Sequence, residues 1–186
     1  MSDVMTPSMT VEEFMDLPDD GRRLELIGGE LREVAPAENP AAAVGSNVMR
    51  LLIMHVHPRR LGRVFMDNTL FILIPRKRNG RSPDVAFISA ERLPLGPLPR
   101  GPVRLPPDLA VEVLSPSETK AILEDKLADY REAGTPLLWV VDPASRTVTV
   151  HPAGEPSYRL REGDTLTGGR VLPDFRCDVV EVFENT

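Results

Sequence analysis

Two acids and a lysine carry the most informative chemistry in this chain. Asp84 follows Pro83 at the head of an apolar run, Asp84-Val85-Ala86-Phe87-Ile88, and Glu112 stands in the middle of another, over residues 109–114. Strand alternation puts Leu109, Val111 and Val113 on one face and Ala110, Glu112 and Leu114 on the other. A carboxylate there is costly to desolvate unless a cation or a donor meets it. Lys126 lies in a helical stretch. At about 100° per residue it falls about 60° from Leu123 and about 40° from Tyr130, inside an apolar arc that also holds Leu127, Ala133 and Ile122. That helix leaves the Glu112 strand within a few residues, so its inner face can point back at the same place, where two carboxylates would keep the lysine charged.

Two carboxylates and a lysine suit metal-assisted phosphate chemistry. Mg²⁺, for which Mn²⁺ can substitute, is held by one or two carboxylates plus substrate phosphate and keeps several waters. The ion polarises a phosphate oxygen and lowers the pKa of a bound water. A lysine stabilises the charge that develops or orients the attacking water. The basic loop with Arg76, Lys77, Arg78 and Arg81 precedes Asp84 closely and is placed to meet a phosphate backbone. Each residue alone has a plainer reading. Asp84 can end a turn, Glu112 can pair with a structural arginine, Lys126 can snorkel, and arginines in a loop are usually solvated.

The elements that must position these residues can be read in outline. Thr10 ahead of Val11-Glu12-Glu13 caps a short helix within an N-terminal helical segment, 1–20. Residues 24–27 and 30–34, joined by Gly28-Gly29, predict a β-hairpin. A helix is expected over 41–56, ended by Pro58, and strands over 63–65, 68–74 and 83–88. Six prolines between 93 and 107 predict an irregular Pro-rich loop, and long loops of this kind are more often functional than mere spacers. Beyond the strand at 109–114, Ser115-Pro116-Ser117-Glu118 reads as a capping box opening a helix that runs to about residue 133. Strands follow at 137–141, 147–151, 158–160 and 179–183. Strand, helix, strand over 109–141 is a βαβ crossover, which requires parallel pairing. With the hairpins around it, the fold class is α/β, a single domain with a central mixed β-sheet flanked by helices.

The chain of 186 residues fits one domain, 1–186. A formal charge of −6 argues against a protein that coats nucleic acid indiscriminately, yet leaves room for a local basic patch. No run is apolar for the roughly 18 residues that cross a bilayer, and the acidic N-terminus lacks a signal-peptide layout, so a cytoplasmic protein is expected. One cysteine, Cys177, excludes an internal disulfide, and no Cys/His set suggests zinc. His55 and His57 point in different directions on a helix and are assigned no metal. Ser115 has no histidine and acid placed to activate it and is read as a cap.

Pro83-Asp84, Glu112-Val113-Leu114-Ser115-Pro116, Lys126 with Tyr130, and Trp139-Val140-Val141-Asp142-Pro143 together resemble the Uma-two family of restriction-endonuclease-like proteins, in the PD-(D/E)XK nuclease superfamily. Leu24-Glu25-Leu26-Ile27-Gly28-Gly29-Glu30-Leu31 resembles its N-terminal motif, so the likeness covers roughly residues 10–183. It implies a restriction-endonuclease-like fold, Mg²⁺-dependent endonuclease activity on DNA, and a homodimer, since two strands need two sites. Asp84 and Glu112 would be the metal-binding acids, and Glu25 a further metal or water contact. The superfamily lysine two residues after the second acid is replaced here by Leu114, and Lys126 matches the position that serves instead. Family members often carry a histidine early in the helix after the hairpin, and Asn39-Pro40-Ala41-Ala42-Ala43-Val44 has none. The rival expectations are a catalytically inactive module that keeps the fold to bind protein or nucleic acid, and hydrolysis of a smaller phosphate ester.

Overall fold

The computed structural model describes residues 8–18, 22, 24–33, 39–67, 69–116 and 118–186. In chain order it runs through α1 (Val11–Met15), the hairpin β1 (Leu24–Ile27) and β2 (Glu30–Glu33), and the long helix α2 (Asn39–Arg59). Strands β3 (Gly62–Met66), β4 (Phe71–Ile74), β5 (Asn79–Arg81) and β6 (Val85–Ser89) follow. The second half carries β7 (Leu109–Val113), α3 (Lys120–Glu132), β8 (Leu137–Asp142), β9 (Thr147–Pro152) and β10 (Tyr158–Arg161). It closes with β11 (Thr165–Gly168), β12 (Leu172–Asp178) and the short helix α4 (Val179–Val182).

The central sheet has the order β10-β9-β8-β7-β6-β3. Its β7–β8 pair is parallel and its other pairs antiparallel, so the sheet is mixed and β7-α3-β8 is the expected crossover. Alternation along β7 divides two layers. Leu109, Val111 and Val113 join Val44, Val48 and Leu52 of α2, with Trp139 and Phe175, in one core. Ala110 faces the other core, with Leu127 and Tyr130 of α3, Leu138 and Val140. Glu112 belongs to that second face by strand parity. A smaller sheet, β2-β1-β5-β4, accompanies the central one, and β11 pairs with β12. Gly28 and Gly29 turn the hairpin with φ of +59° and +84°, the left-handed pair that a two-residue turn requires.

Several boundaries differ from expectation for identifiable reasons. Helix α2 passes Pro58 because the proline falls in its last turn, where the missing N–H frees only the carbonyl of Met54, an exposed residue. The helix stops at Arg60, whose φ is +54°. The Arg60 N–H donates to His57 O at 3.1 Å and the Leu61 N–H to Val56 O at 3.2 Å, the pairing of a Schellman cap. Helix α3 starts at Lys120 rather than in the Ser-Pro stretch, capped by Thr119, whose hydroxyl accepts from Ile122 N at 3.3 Å. Ser115 is therefore not its cap. Residues 179–182 are helical, not a strand: Asp178 and Glu181 form a capping box, and Val179, Val182 and Phe183 bury at helical spacing. The basic loop contains a 3₁₀ turn, Pro75–Lys77, and then β5. Strands β11 and β12 were not foreseen. The expected positions of Val34, Asn68 and Ser117, and parts of the segment 1–20, lie outside the described residues.

Candidate active site

Strand pairing brings the two acids together. Antiparallel register pairs Met66 with Val85 and Val85 with Val111, so the next rung carries Asp67, Asp84 and Glu112 side by side. Asp84 stands just before β6, and its Oδ2 accepts the Val113 backbone N–H at 2.6 Å, which fastens it to the carboxyl end of β7. A cleft of about 210 Å³ opens at Asp84, walled by Ala41, Ala42, Gly45 and Ser46 of α2 and by Met66 and Asp67. Small side chains on the first turns of α2 leave this space.

Glu112 lies deeper and is 2% exposed. Lys126 Nζ donates to its Oε2 at 2.8 Å, and the Tyr130 hydroxyl donates to its Oε1 at 2.8 Å. Positions 126 and 130 are one turn apart on α3, which is why both reach the same carboxylate. Burial pushes the Glu112 carboxyl up to about 7. Lys126 pulls the other way, and the negative charge of Asp84 adds to the rise. Burial also works against the charge on Lys126, but Glu112 and then Glu118 outweigh it and hold the ammonium protonated well above the ordinary lysine range. Glu118 Oε1 is 2.8 Å from Lys126 Nζ. Tyr130, fully buried beside Glu112, is driven well above the usual phenol value by burial first and by that carboxylate second.

Asp84, Glu112 and Lys126 thus gather at one end of β7. Glu25 lies near enough to raise the pKa of the Tyr130 hydroxyl, which bonds Glu112, and makes its own bonds beside them. Glu25 is buried on β1, where its Oε1 accepts the Ser82 N–H at 2.9 Å and its Oε2 takes Arg81 Nη1 at 3.1 Å. The carboxylate thereby ties down the segment that leads into Asp84. The expectation for Arg81 is corrected. This arginine is 4% exposed, not a surface cation: Nε and Nη2 bind Asp129 Oδ2 at 2.8 and 2.6 Å, and the third bond goes to Glu25. A guanidinium buried between two carboxylates has no reach toward a phosphate backbone. The arginine instead links β5 to α3, the helix that carries Lys126.

The rest of the basic run stays nearer the surface. Arg76 and Lys77 both pair with Glu132, Arg76 at 3.4 Å, and the Arg76 side chain remains 80% exposed. Arg78 is half-buried and donates to Ser8 O at 2.7 Å. Of the histidines set aside, His55 bonds the Pro173 carbonyl at 3.0 Å and packs edge-on against Phe175. Sequence reasoning passed over Glu118, Asp67 and the role of the Tyr130 hydroxyl. Tyr130 sits one turn after Lys126 and was findable, while Glu118 was taken up by an expected cap. Among the described residues, no group of three or more His, Cys, Asp and Glu side chains is arranged to hold a metal alone.

This α/β architecture, a mixed sheet with a helix on each face, is that of a nuclease-like fold. A crystal structure of a "putative nuclease belonging to DUF820" from Anabaena variabilis superposes on 94% of this chain and 97% of its own, with a TM-score of 0.78 and 20% identity. The chain belongs to the Uma2 family, described as "Putative restriction endonuclease", whose model matches residues 11–180. A comparison with curated proteins finds no match. Among the described residues, no helix is long and apolar enough to cross a membrane.

Proposed function

We propose that this protein is a divalent-metal-dependent endonuclease that hydrolyses phosphodiester bonds in DNA. The observation that carries the reading is the convergence of Asp84, Glu112 and Lys126, with Lys126 Nζ 2.8 Å from Glu112 and Asp84 bonded to the residue next to Glu112. The donor set fits a hydrated Mg²⁺ or Mn²⁺: two carboxylates, no sulfur or imidazole, and an open cleft at Asp84 that leaves room for water and phosphate. Burial first, and the Asp84 charge to a lesser degree, disfavour an ionised Glu112, and a cation held beside both acids would offset each. Asp84 and Glu112 would hold the ion, which would supply a polarised phosphate and an activated water. Lys126 keeps its charge at the edge of that site, where it can stabilise charge building on the phosphate. Tyr130 fixes the free rotation of the Glu112 carboxylate. Cutting both strands of a duplex takes two such sites, which favours action by a pair of chains.

One observation favours a non-cleaving module instead. Both Glu112 oxygens already carry donors, from Lys126 and Tyr130. Cleavage of duplex DNA in Mg²⁺ or Mn²⁺ separates the two. The enzyme reading expects Asp84→Asn and Glu112→Gln each to abolish metal-dependent cleavage with the fold intact, and Lys126→Ala to cost on the order of 100-fold in rate. Undiminished cleavage by either acid variant would sink the assignment.

A further inference from the structure

We infer that Glu118 is a positioning residue that fixes the ammonium of Lys126 at Glu112, supplying a constraint that a lysine on the Glu112 strand itself would get from the sheet. The inference rests on the metal-dependent cleavage reading. A lysine two positions along a strand has its backbone set by the same hydrogen-bond ladder as the acid. Here Leu114 stands at that position, and the ammonium comes instead from α3, at the end of a flexible four-carbon stem. A single ion pair to Glu112 fixes one distance and leaves the stem free to pivot. A second carboxylate on another side removes that freedom.

Glu118 is built into that position. Ahead of α3, which starts only at Lys120, the Glu118 N–H donates to Ser115 O at 3.0 Å. The Glu118 side chain is only 12% exposed, and its Oε1 lies 2.8 Å from Lys126 Nζ, matching the 2.8 Å from Nζ to Glu112. Glu118 precedes α3 and stands eight positions before Lys126, so this is not the one-turn pairing that decorates helix surfaces. The second anchor also has an electrostatic use. An ammonium and a divalent ion that share the Glu112 carboxylate repel each other, and Glu118 opposes the expulsion of the lysine.

The test compares full-length wild type with Glu118→Gln, Glu118→Ala and Lys126→Ala. One arm measures steady-state cleavage of duplex DNA in Mn²⁺. The other follows acetylation of Lys126 by an amine-reactive reagent in Ca²⁺, read by mass spectrometry. The expected result is a kcat about ten-fold lower in Glu118→Ala, short of the roughly 100-fold that a misplacement of about 1 Å can cost, with KM unchanged. Glu118→Gln, which keeps an acceptor but loses the charge, falls between it and wild type. Labelling of Lys126 rises in the same order. Wild-type kcat and wild-type labelling in both Glu118 variants would overturn the inference. No cleavage by the wild type would overturn the cleavage reading instead, and the labelling arm would still decide whether Glu118 holds the ammonium.

Discussion

Glu112 concentrates the physical tension of this protein in one side chain. It is a carboxylate in the buried layer between a sheet and a helix, and its burial is offset only in part by Lys126 and Tyr130. Its folded-state pKa of about 7 lies above the value of roughly 4.3 expected for an unfolded glutamate. The folded state therefore binds the proton more tightly, and the stability this group contributes is present below the unfolded pKa and lost as pH rises through about 7. Without divalent ions, Glu112→Gln should gain on wild type in melting temperature as pH rises from about 4.5 to about 7, and should be the more stable at pH 8. Adding Ca²⁺ should close the gap, because an ion that binds only the folded state stabilises wild type. Thermal melts of both proteins across that window, in chelator and in Ca²⁺, check this. A difference that does not change with pH would mean that Lys126 and Tyr130 already satisfy the ionised carboxylate.

Among the elements, those that carry the reacting groups were the most legible in the sequence. The alternation of residues 109–114 separated the two core layers, and the helical arc of residues 122–133 turned Lys126 inward, where its Nζ bonds Glu112. Strand, helix, strand over 109–141 dictated the one parallel pair in the central sheet. Legibility failed where long-range pairing overrides local pattern. Asn79, Gly80 and Arg81 read as loop because nothing local says that Arg81 will be drawn inside by Glu25 and Asp129, residues about fifty positions away on either side. Val179–Val182 has β-branched residues that suggest a strand, yet its capping box and the burial of Val179 and Val182 make it helical. Ser115-Pro116-Ser117-Glu118 satisfied the pattern of a cap so well that it hid the function of Glu118. The carboxylate that would have bonded the helix start goes instead to Lys126.

At the scale of the whole molecule the charge is −6, so the affinity for DNA that the proposal requires has to come from a local patch. With Arg81 withdrawn into the interior, the patch we propose is Arg76, Lys77 and Arg78, and Glu132 already offsets part of it. If all three reach phosphates, log affinity should fall against log salt with a slope of roughly −3, and Arg76→Ala with Arg78→Ala together should flatten it by about two units. Duplex binding in Ca²⁺ over a salt series checks this, and equal slopes for wild type and variant would remove the patch from the interface. In the proposed site Asp84 and Glu112 would hold one divalent ion beside a charged Lys126. The measurement that tests it most directly is the anomalous scattering of Mn²⁺ in crystals of the wild-type protein. The account predicts a single strong peak in contact with both carboxylates, with the Lys126 ammonium still bonded at Glu112 and Glu118. No peak at millimolar Mn²⁺, or a peak away from Asp84 and Glu112, would contradict it.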